Sequence, residues 1–105
     1  MSNPDHRQRT LTIDLSTGDA WLHKRRLFLS ESLTQPLVLL AKAGNRTLLE
    51  DDLYQTLGLD RDHKQDRHLV HSCMNRLRKI LGRDAIVTRV RVGWVLLLPV
   101  HVLNA

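Results

Sequence analysis

Between residues 66 and 81 the chain carries a pattern that leaves little choice of structure. With Leu77 set at zero and about 100° per residue, Val70, Cys73, Met74, Ile80 and Leu81 fall within roughly 60° of it, and Leu69 lies at about 80°. Such a stripe predicts an amphipathic helix over 66–81, its apolar side covered by other elements and its far side in water. Gly82 follows at once and supplies the stop. The far side collects His68, His71, Ser72, Asn75 and Lys79, with Arg76 and Arg78 on the flanks. No acidic residue occurs from Arg67 to Arg83. A solvated helix ordinarily mixes signs for solubility and for i,i+4 pairing, so a face of donors and cations alone is a distinctive one.

The elements ahead of this helix follow from shorter-range signals. Residues 1–10 are polar and read as a flexible tail. From Leu11 the period is two: Leu11, Ile13 and Leu15 alternate with Thr12 and Asp14, as in a half-buried strand. Residues 16–19 have turn composition. Residues 20–22 and 26–29 predict two more strands joined by a tight turn at 23–25, making an antiparallel meander. Ser30 caps a predicted first helix reaching Ala43, with Gly44 and Asn45 as the stop. Pro36 conflicts with a straight helix from Ser30, so either the first turn is irregular or the helix proper begins near Gln35. Thr47, Leu48, Leu49 and Glu50 fit a capping box that opens a second helix to about Leu57, closed by Gly58. Residues 59–65 form a charged loop. Beyond the third helix, 86–90 and 92–97 predict a hairpin, and the apolar residues Leu97, Leu98, Val100, Val102 and Leu103 predict either an extra core strand or an exposed edge for dimerisation or a partner. On the second alternative, deleting 98–105 changes the oligomeric state without unfolding the domain.

The 105 residues suffice for one domain with one core, spanning 11–105. The formal charge is +5, and the excess lies in the C-terminal half. Nine basic residues occur between Arg61 and Arg91, against Asp62, Asp66 and Asp84. Such a field attracts polyanions and is the usual footprint of a nucleic-acid binder. Cys73 is the only cysteine, which excludes an intramolecular disulfide and suits a reducing compartment. The N-terminus has no apolar stretch of the secretory kind, and the apolar run at 94–103 is too short to span a bilayer. A cytoplasmic protein with no membrane attachment is expected.

The polar side of the third helix matches what a major groove accepts. Asn pairs with adenine, Arg with guanine, and Lys or His meets phosphate. In the hairpin, Arg89 and Arg91 stand two apart and are expected on one strand face, with Val90 and Val92 pointing to the core. Arginines at a hairpin tip suit phosphate or the minor groove.

This order of elements resembles the OmpR/PhoB-type winged-helix effector domain over residues 11 to about 97. The family's helix reads Arg-Leu-Arg-Lys followed by Leu, and Arg76, Leu77, Arg78, Lys79, Ile80 and Leu81 fit it. Its wing reads Thr-Val-Arg-Gly-x-Gly-Tyr, of which this chain keeps Thr88, Gly93 and an aromatic, Trp94. Leu29 and Ser30 stand where the family has Leu-Thr, and Asn45, Arg46, Thr47 and Leu48 where it has Gly-Arg and two valines. The resemblance implies an α+β winged helix-turn-helix: N-terminal antiparallel strands, three helices and a C-terminal β-hairpin wing. It implies sequence-specific binding of double-stranded DNA for transcription regulation, the third helix in the major groove and the wing on the minor groove. By position the groove-facing residues are His68, His71, Ser72, Asn75, Arg76 and Lys79, and the wing residues are Thr88, Arg89 and Arg91. RNA polymerase or another regulator would meet the loop between the second and third helices, and paired occupancy as a homodimer on DNA follows the family's habit. The family's wing arginine falls on Val90 here and its first glycine on Arg91, so the minor-groove contact comes from a neighbouring arginine or is absent. The length leaves no room for a phosphoacceptor receiver domain, and there is no membrane anchor of the ToxR-like kind, so a stand-alone, bacterial-type regulator is expected.

Other chemistry is weakly represented. His63, His68 and His71 fall short of the three or four converging ligands that zinc wants, and Cys73 lies on the apolar stripe. There is no phosphate-binding glycine loop, nucleophile elbow or paired carboxylates, so no enzyme, metal or cofactor is expected. Two rivals remain: a winged-helix adaptor that binds an acidic partner surface, and a separated effector domain of a larger two-component regulator. A steep salt dependence with duplex DNA distinguishes the first rival from a DNA binder.

Overall fold

Leu11 and Ile13 are completely buried while Thr12 and Asp14 are half-exposed, so the first strand, β1 (Leu11–Asp14), faces the core as its alternation predicts. The computed structural model describes residues 9–104. β1 pairs antiparallel with β2 (Ala20–Leu22), and β2 with β3 (Arg25–Leu27), giving the expected meander. Residues 28 and 29 lie beyond β3 rather than within it. Asp14 organises the turn between β1 and β2: one carboxylate oxygen accepts from the Ser16 backbone at 2.8 Å and from its hydroxyl at 2.7 Å. Those two hydrogen bonds favour the ionised form and hold the Asp14 pKa below its ordinary value.

Residues 1–8 of the predicted tail lie outside the described residues. Arg9 and Thr10 are tied into the fold. The Arg9 guanidinium donates to the Leu81 carbonyl, a cation at the negative end of the third helix, and the Thr10 carbonyl accepts from His23 at 2.9 Å.

The first helix, α1 (Glu31–Ala43), starts at the Ser30 cap position and continues without a break through Pro36. Ser30 caps by its carbonyl, which accepts from the amides of Leu33 and Thr34, rather than by its hydroxyl. Pro36 has no N–H for the Ser32 carbonyl one turn back. The Cys73 thiol lies 3.7 Å from that carbonyl and donates to it from the third helix. A first helix beginning near Gln35 is therefore corrected.

The capping box is also corrected. Thr47, Leu48 and Leu49 form a strand, β4 (Thr47–Leu49), paired antiparallel with Val95, Trp94 and Gly93. The ladder takes the backbone that the cap would have used. The second helix, α2 (Glu50–Leu57), starts directly after it with no side-chain cap, and the Glu50 amide donates to the Val92 carbonyl at 3.0 Å. Glu50, Asp51 and Asp52 occupy its first turn, where negative charge suits the helix dipole. The third helix, α3 (Lys64–Leu81), begins two residues ahead of the predicted start, and Gly82 ends it.

The hairpin consists of β5 (Ile86–Arg89) and β6 (Gly93–Leu96), and β6 lies between β4 and β5 in a three-stranded antiparallel sheet. Gly93 is dictated by this sheet. A Cβ built there would stand 1.8 Å from the Leu48 carbonyl oxygen, so no side chain fits while β4 is paired. The apolar C-terminal stretch supplies β7 (Val100–Leu103), parallel to β1, and completes a four-stranded sheet in the order β3-β2-β1-β7. Leu98 is buried, and Val100 and Val102 pack against the core. β7 is thus both a strand of the sheet and one of its edges.

The described residues form an α+β fold of three helices and seven strands in two sheets. One core joins them, built on Leu11 and Ile13 of β1, Leu37 and Leu40 of α1, Leu53 of α2, Val70, Met74, Leu77 and Leu81 of α3, and Leu96 of β6. No helix among the described residues is long and apolar enough to cross a membrane.

Candidate nucleic-acid interface

α3 buries Val70, Met74, Leu77 and Leu81, with Cys73 and Ile80 half-buried beside them. Leu69, at the margin of the predicted stripe, is 54% exposed and stands outside the core. With the core side fixed, His68, His71, Ser72, Asn75, Arg76 and Lys79 are all exposed. At about 100° per residue they occupy an arc of roughly 140° opposite Leu77. Asp66 is the one acid in α3 and sits in its first turn, beside His63 at 3.7 Å and accepting from the Asp60 amide at 2.8 Å. It lies away from the middle and C-terminal turns that carry Asn75, Arg76 and Lys79.

The hairpin reaches the same region through a single side chain. Arg78 is half-buried and its guanidinium makes three hydrogen bonds: from Nε to the Ile86 carbonyl at 2.9 Å, from one terminal nitrogen to Asn75 Oδ1 at 3.0 Å, and from the other to Thr88 Oγ1 at 2.6 Å. It therefore fastens β5 to α3 and brings together two residues predicted from separate elements, Asn75 and Thr88. The sequence reading placed Arg78 only on a flank of the helix. Only the Asn75 contact, three residues back on the same helix, is local; the two acceptors that tie it to β5 lie eight and ten residues further along.

Arg89, Arg91, Val90 and Val92 depart from the strand-parity expectation. β5 ends at Arg89, which is opposite Gly93, and residues 90–92 form the turn. Arg91 has φ of +66° there, a left-handed conformation that L residues adopt only at a cost. It thus occupies the kind of backbone position glycine favours, and does not share a strand face with Arg89. Both arginines are exposed. Val90 and Val92 are 78% and 47% exposed, so the expectation that they point to the core is corrected. The turn leaves the sheet before the alternation could place them inside.

Arg76, Lys79, Arg89 and Arg91 take part in none of the ion pairs found among the described residues, which involve Arg26, Arg61 and His63 instead. Arg61 lies 3.0 Å from Asp51 and 3.8 Å from Glu50, closing the α2–α3 loop back onto α2. Among the described residues, the charge of these four cations is therefore uncompensated by ion pairing. His68 and His71 stand one turn apart, and no group of three or more His, Cys, Asp or Glu residues converges as metal ligands among the described residues. Burial pushes the Cys73 thiol pKa up, with Arg76 opposing in part, which disfavours the reactive thiolate.

No family model, curated protein or solved structure matches this chain.

Proposed function

We propose that this chain is a winged-helix protein that binds duplex DNA sequence-specifically and regulates transcription, without catalysis of its own. In this reading α2 and α3 are the helix-turn-helix, α3 enters the major groove, and the β5–β6 hairpin is the wing on the adjacent minor groove. The observation that carries it is the exposed face of α3. Six donor or cationic side chains share one arc free of acids, beside a hairpin bearing two further arginines that have no ion pair among the described residues. Asn75 and Arg76 are the base readers, Lys79, Arg89 and Arg91 the phosphate or minor-groove contacts, and His68, His71, Ser72 and Thr88 the supporting donors. The loop closed by Arg61 is the surface offered to RNA polymerase or another regulator.

A second reading, an adaptor for an acidic protein surface, draws on the exposed Val90 and Val92 around Arg91, since an apolar tip ringed by charge also suits a protein contact. Titration with a randomised duplex pool at low and moderate salt, followed by sequencing of what is retained, separates the two. Enrichment of a repeated short motif supports the regulator. Salt-sensitive retention without enrichment leaves a nonspecific DNA binder. No retention at low salt removes the DNA reading and leaves the adaptor.

A further inference from the structure

The three acceptors around Arg78 differ in kind, and that difference has a chemical consequence. The Ile86 carbonyl belongs to the backbone of β5, so its bond to Nε fixes the guanidinium independently of the other two. The remaining acceptors, Asn75 Oδ1 and Thr88 Oγ1, are side-chain atoms on the proposed DNA-facing surface. A guanidinium has donors only. It can therefore meet the oxygen of the Asn75 amide and never its nitrogen, which fixes which way the amide lies. Nδ2 of Asn75, with its two N–H groups, has no acceptor among the described residues. The Thr88 oxygen is likewise occupied by a charged donor at 2.6 Å, leaving its own O–H to donate elsewhere.

We propose that Arg78 is a positioning residue that sets the hydrogen-bonding sense of the DNA-reading face, so that Asn75 reads a purine acceptor edge rather than adenine alone. The inference rests on the DNA-binding reading above. In the major groove both purines present N7 as an acceptor; guanine adds the O6 acceptor, whereas adenine adds the N6 donor. The bidentate Asn–adenine contact requires Oδ1 to accept from N6. Of the two acceptor positions on an amide oxygen, one is here taken by a charge-assisted bond, which fixes the plane of the amide and leaves the second a poorer partner for N6. Nδ2 remains free to donate to N7 of either purine, or to N7 and O6 of guanine. Thr88, held in the same way, donates to a phosphate oxygen. Arg78 itself touches no DNA in this arrangement, in contrast to the neighbouring Arg76 and Lys79.

The test uses the full chain and the site recovered by pool selection, with all four base pairs placed at the position whose preference Asn75→Ala flattens. The wild type is expected to favour purines over pyrimidines by about fivefold or more, with guanine at least equal to adenine to within about threefold. Arg78→Leu releases Oδ1 and is expected to shift the adenine-to-guanine ratio towards adenine by about five- to tenfold. Arg78→Lys, which keeps the charge but lacks the planar fork that spans the three acceptors, should shift it the same way with a smaller loss of Tm. In an Asn75→Ala background neither substitution should alter the base profile, a result that a merely structural role of Arg78 does not predict. An unchanged adenine-to-guanine ratio in a folded Arg78 variant overturns the proposal, as does a wild type that prefers adenine over guanine by about tenfold. If neither Arg78 variant folds, Asn75→Asp decides: its carboxylate satisfies Arg78 but has no donor, so the purine preference should vanish, and its persistence overturns the proposal. A wild type that selects no sequence removes the DNA reading itself and this inference with it, a failure distinct from retention with an unchanged profile.

Discussion

The salt dependence of DNA binding can be worked out from the surface and then taken apart one residue at a time. Four cations on the proposed face, Arg76, Lys79, Arg89 and Arg91, are exposed and form no ion pair among the described residues, whereas Arg78 is committed within the protein. If each of the four neutralises about one phosphate charge, Arg76 from within the groove and the others by direct contact, the slope of log K against log salt is about −0.9 times four, or roughly −3.6. Between 50 and 200 mM salt that amounts to a loss of affinity of about 150-fold. Arg89→Ala lowers the count by one, so its slope should be about −2.7 and its loss over the same range about 40-fold. Lys79→Ala should give the same increment. Fluorescence anisotropy of a labelled duplex of about 20 base pairs, titrated across that salt range, reads both the slope and the increments. Asn75→Ala serves as the contrast: it should leave the slope in place while relaxing preference at one base pair. A wild-type slope shallower than about −1, or one that neither cation deletion flattens, would refute the placement of the phosphate contacts on this face.

Four further outcomes follow from particular contacts. Deleting residues 98–105 removes the buried Leu98 and the half-buried Val100 and Val102 and strips β1 of a partner; at about 2 kcal/mol for Leu98 and about 1 for each valine, roughly 4 kcal/mol should be lost, visible as a large fall in the denaturant midpoint, and an unchanged midpoint with an altered oligomeric state would return β7 to the role of an interface. Arg91→Gly relieves a left-handed arginine and should stabilise the fold by about 1 kcal/mol in chemical denaturation, while flattening the salt slope by about 0.9, so stability and binding move in opposite directions. Asp14 has a folded-state pKa below its ordinary value, so its contribution is complete above about pH 4 and fades as the pH falls further; Asp14→Asn should flatten the acid limb of a stability–pH curve there, and identical limbs would deny the turn its role. Cys73, half-buried with its thiol on the Ser32 carbonyl and its pKa raised, should be alkylated at least about tenfold more slowly than an unstructured cysteine at pH 8, and equal rates would place it outside the α1–α3 contact.

What the sequence made legible was local, and what it hid was long-range. The period-two alternation at Leu11 and Ile13 and the stripe through Val70, Met74, Leu77 and Leu81 each carry their own face information, and both faces are buried as that information requires. Thr47, Leu48 and Leu49 carried the signal of a helix cap, and what made them a strand instead was β6, more than forty residues away. Val90 and Val92 continue the alternation of β5, but the hairpin turns at Arg89 and the alternation stops meaning anything. Where α1 passes through Pro36, the Ser32 carbonyl that proline leaves free is met by Cys73, forty-one residues beyond Ser32. The candidate site divides in the same way. The exposed arc of α3 was readable from period alone, whereas the coupling of Asn75 to Thr88 through Arg78 required the packing of β5 on α3.

That coupling bears on whether the polar side of α3 is merely a solvated surface. A solvated face gains nothing from fixed side-chain geometry, and ordering a long side chain such as arginine costs up to about 2 kcal/mol of rotamer entropy. Yet α3 is held along its length: at Cys73 by the Ser32 carbonyl of α1, at Arg78 by the β5 backbone, and at Leu81 by Arg9. Of the cations along this part of the helix, the one spent on internal bonds is the one that also fixes Asn75 and Thr88. Arg76 and Lys79 have no ion pair among the described residues, although acids occur nearby in sequence at Asp66 and Asp84. A rigid helix with oriented donors and uncompensated positive charge is pre-organised for an ordered array of acceptors and negative charge, which duplex DNA supplies in its groove edges and phosphates. An acidic protein surface would be satisfied by the charge alone. The fixed donors are what distinguish the two partners, and a shift of base preference towards adenine on releasing Arg78, with affinity largely retained, is the result that would tie that rigidity to reading DNA.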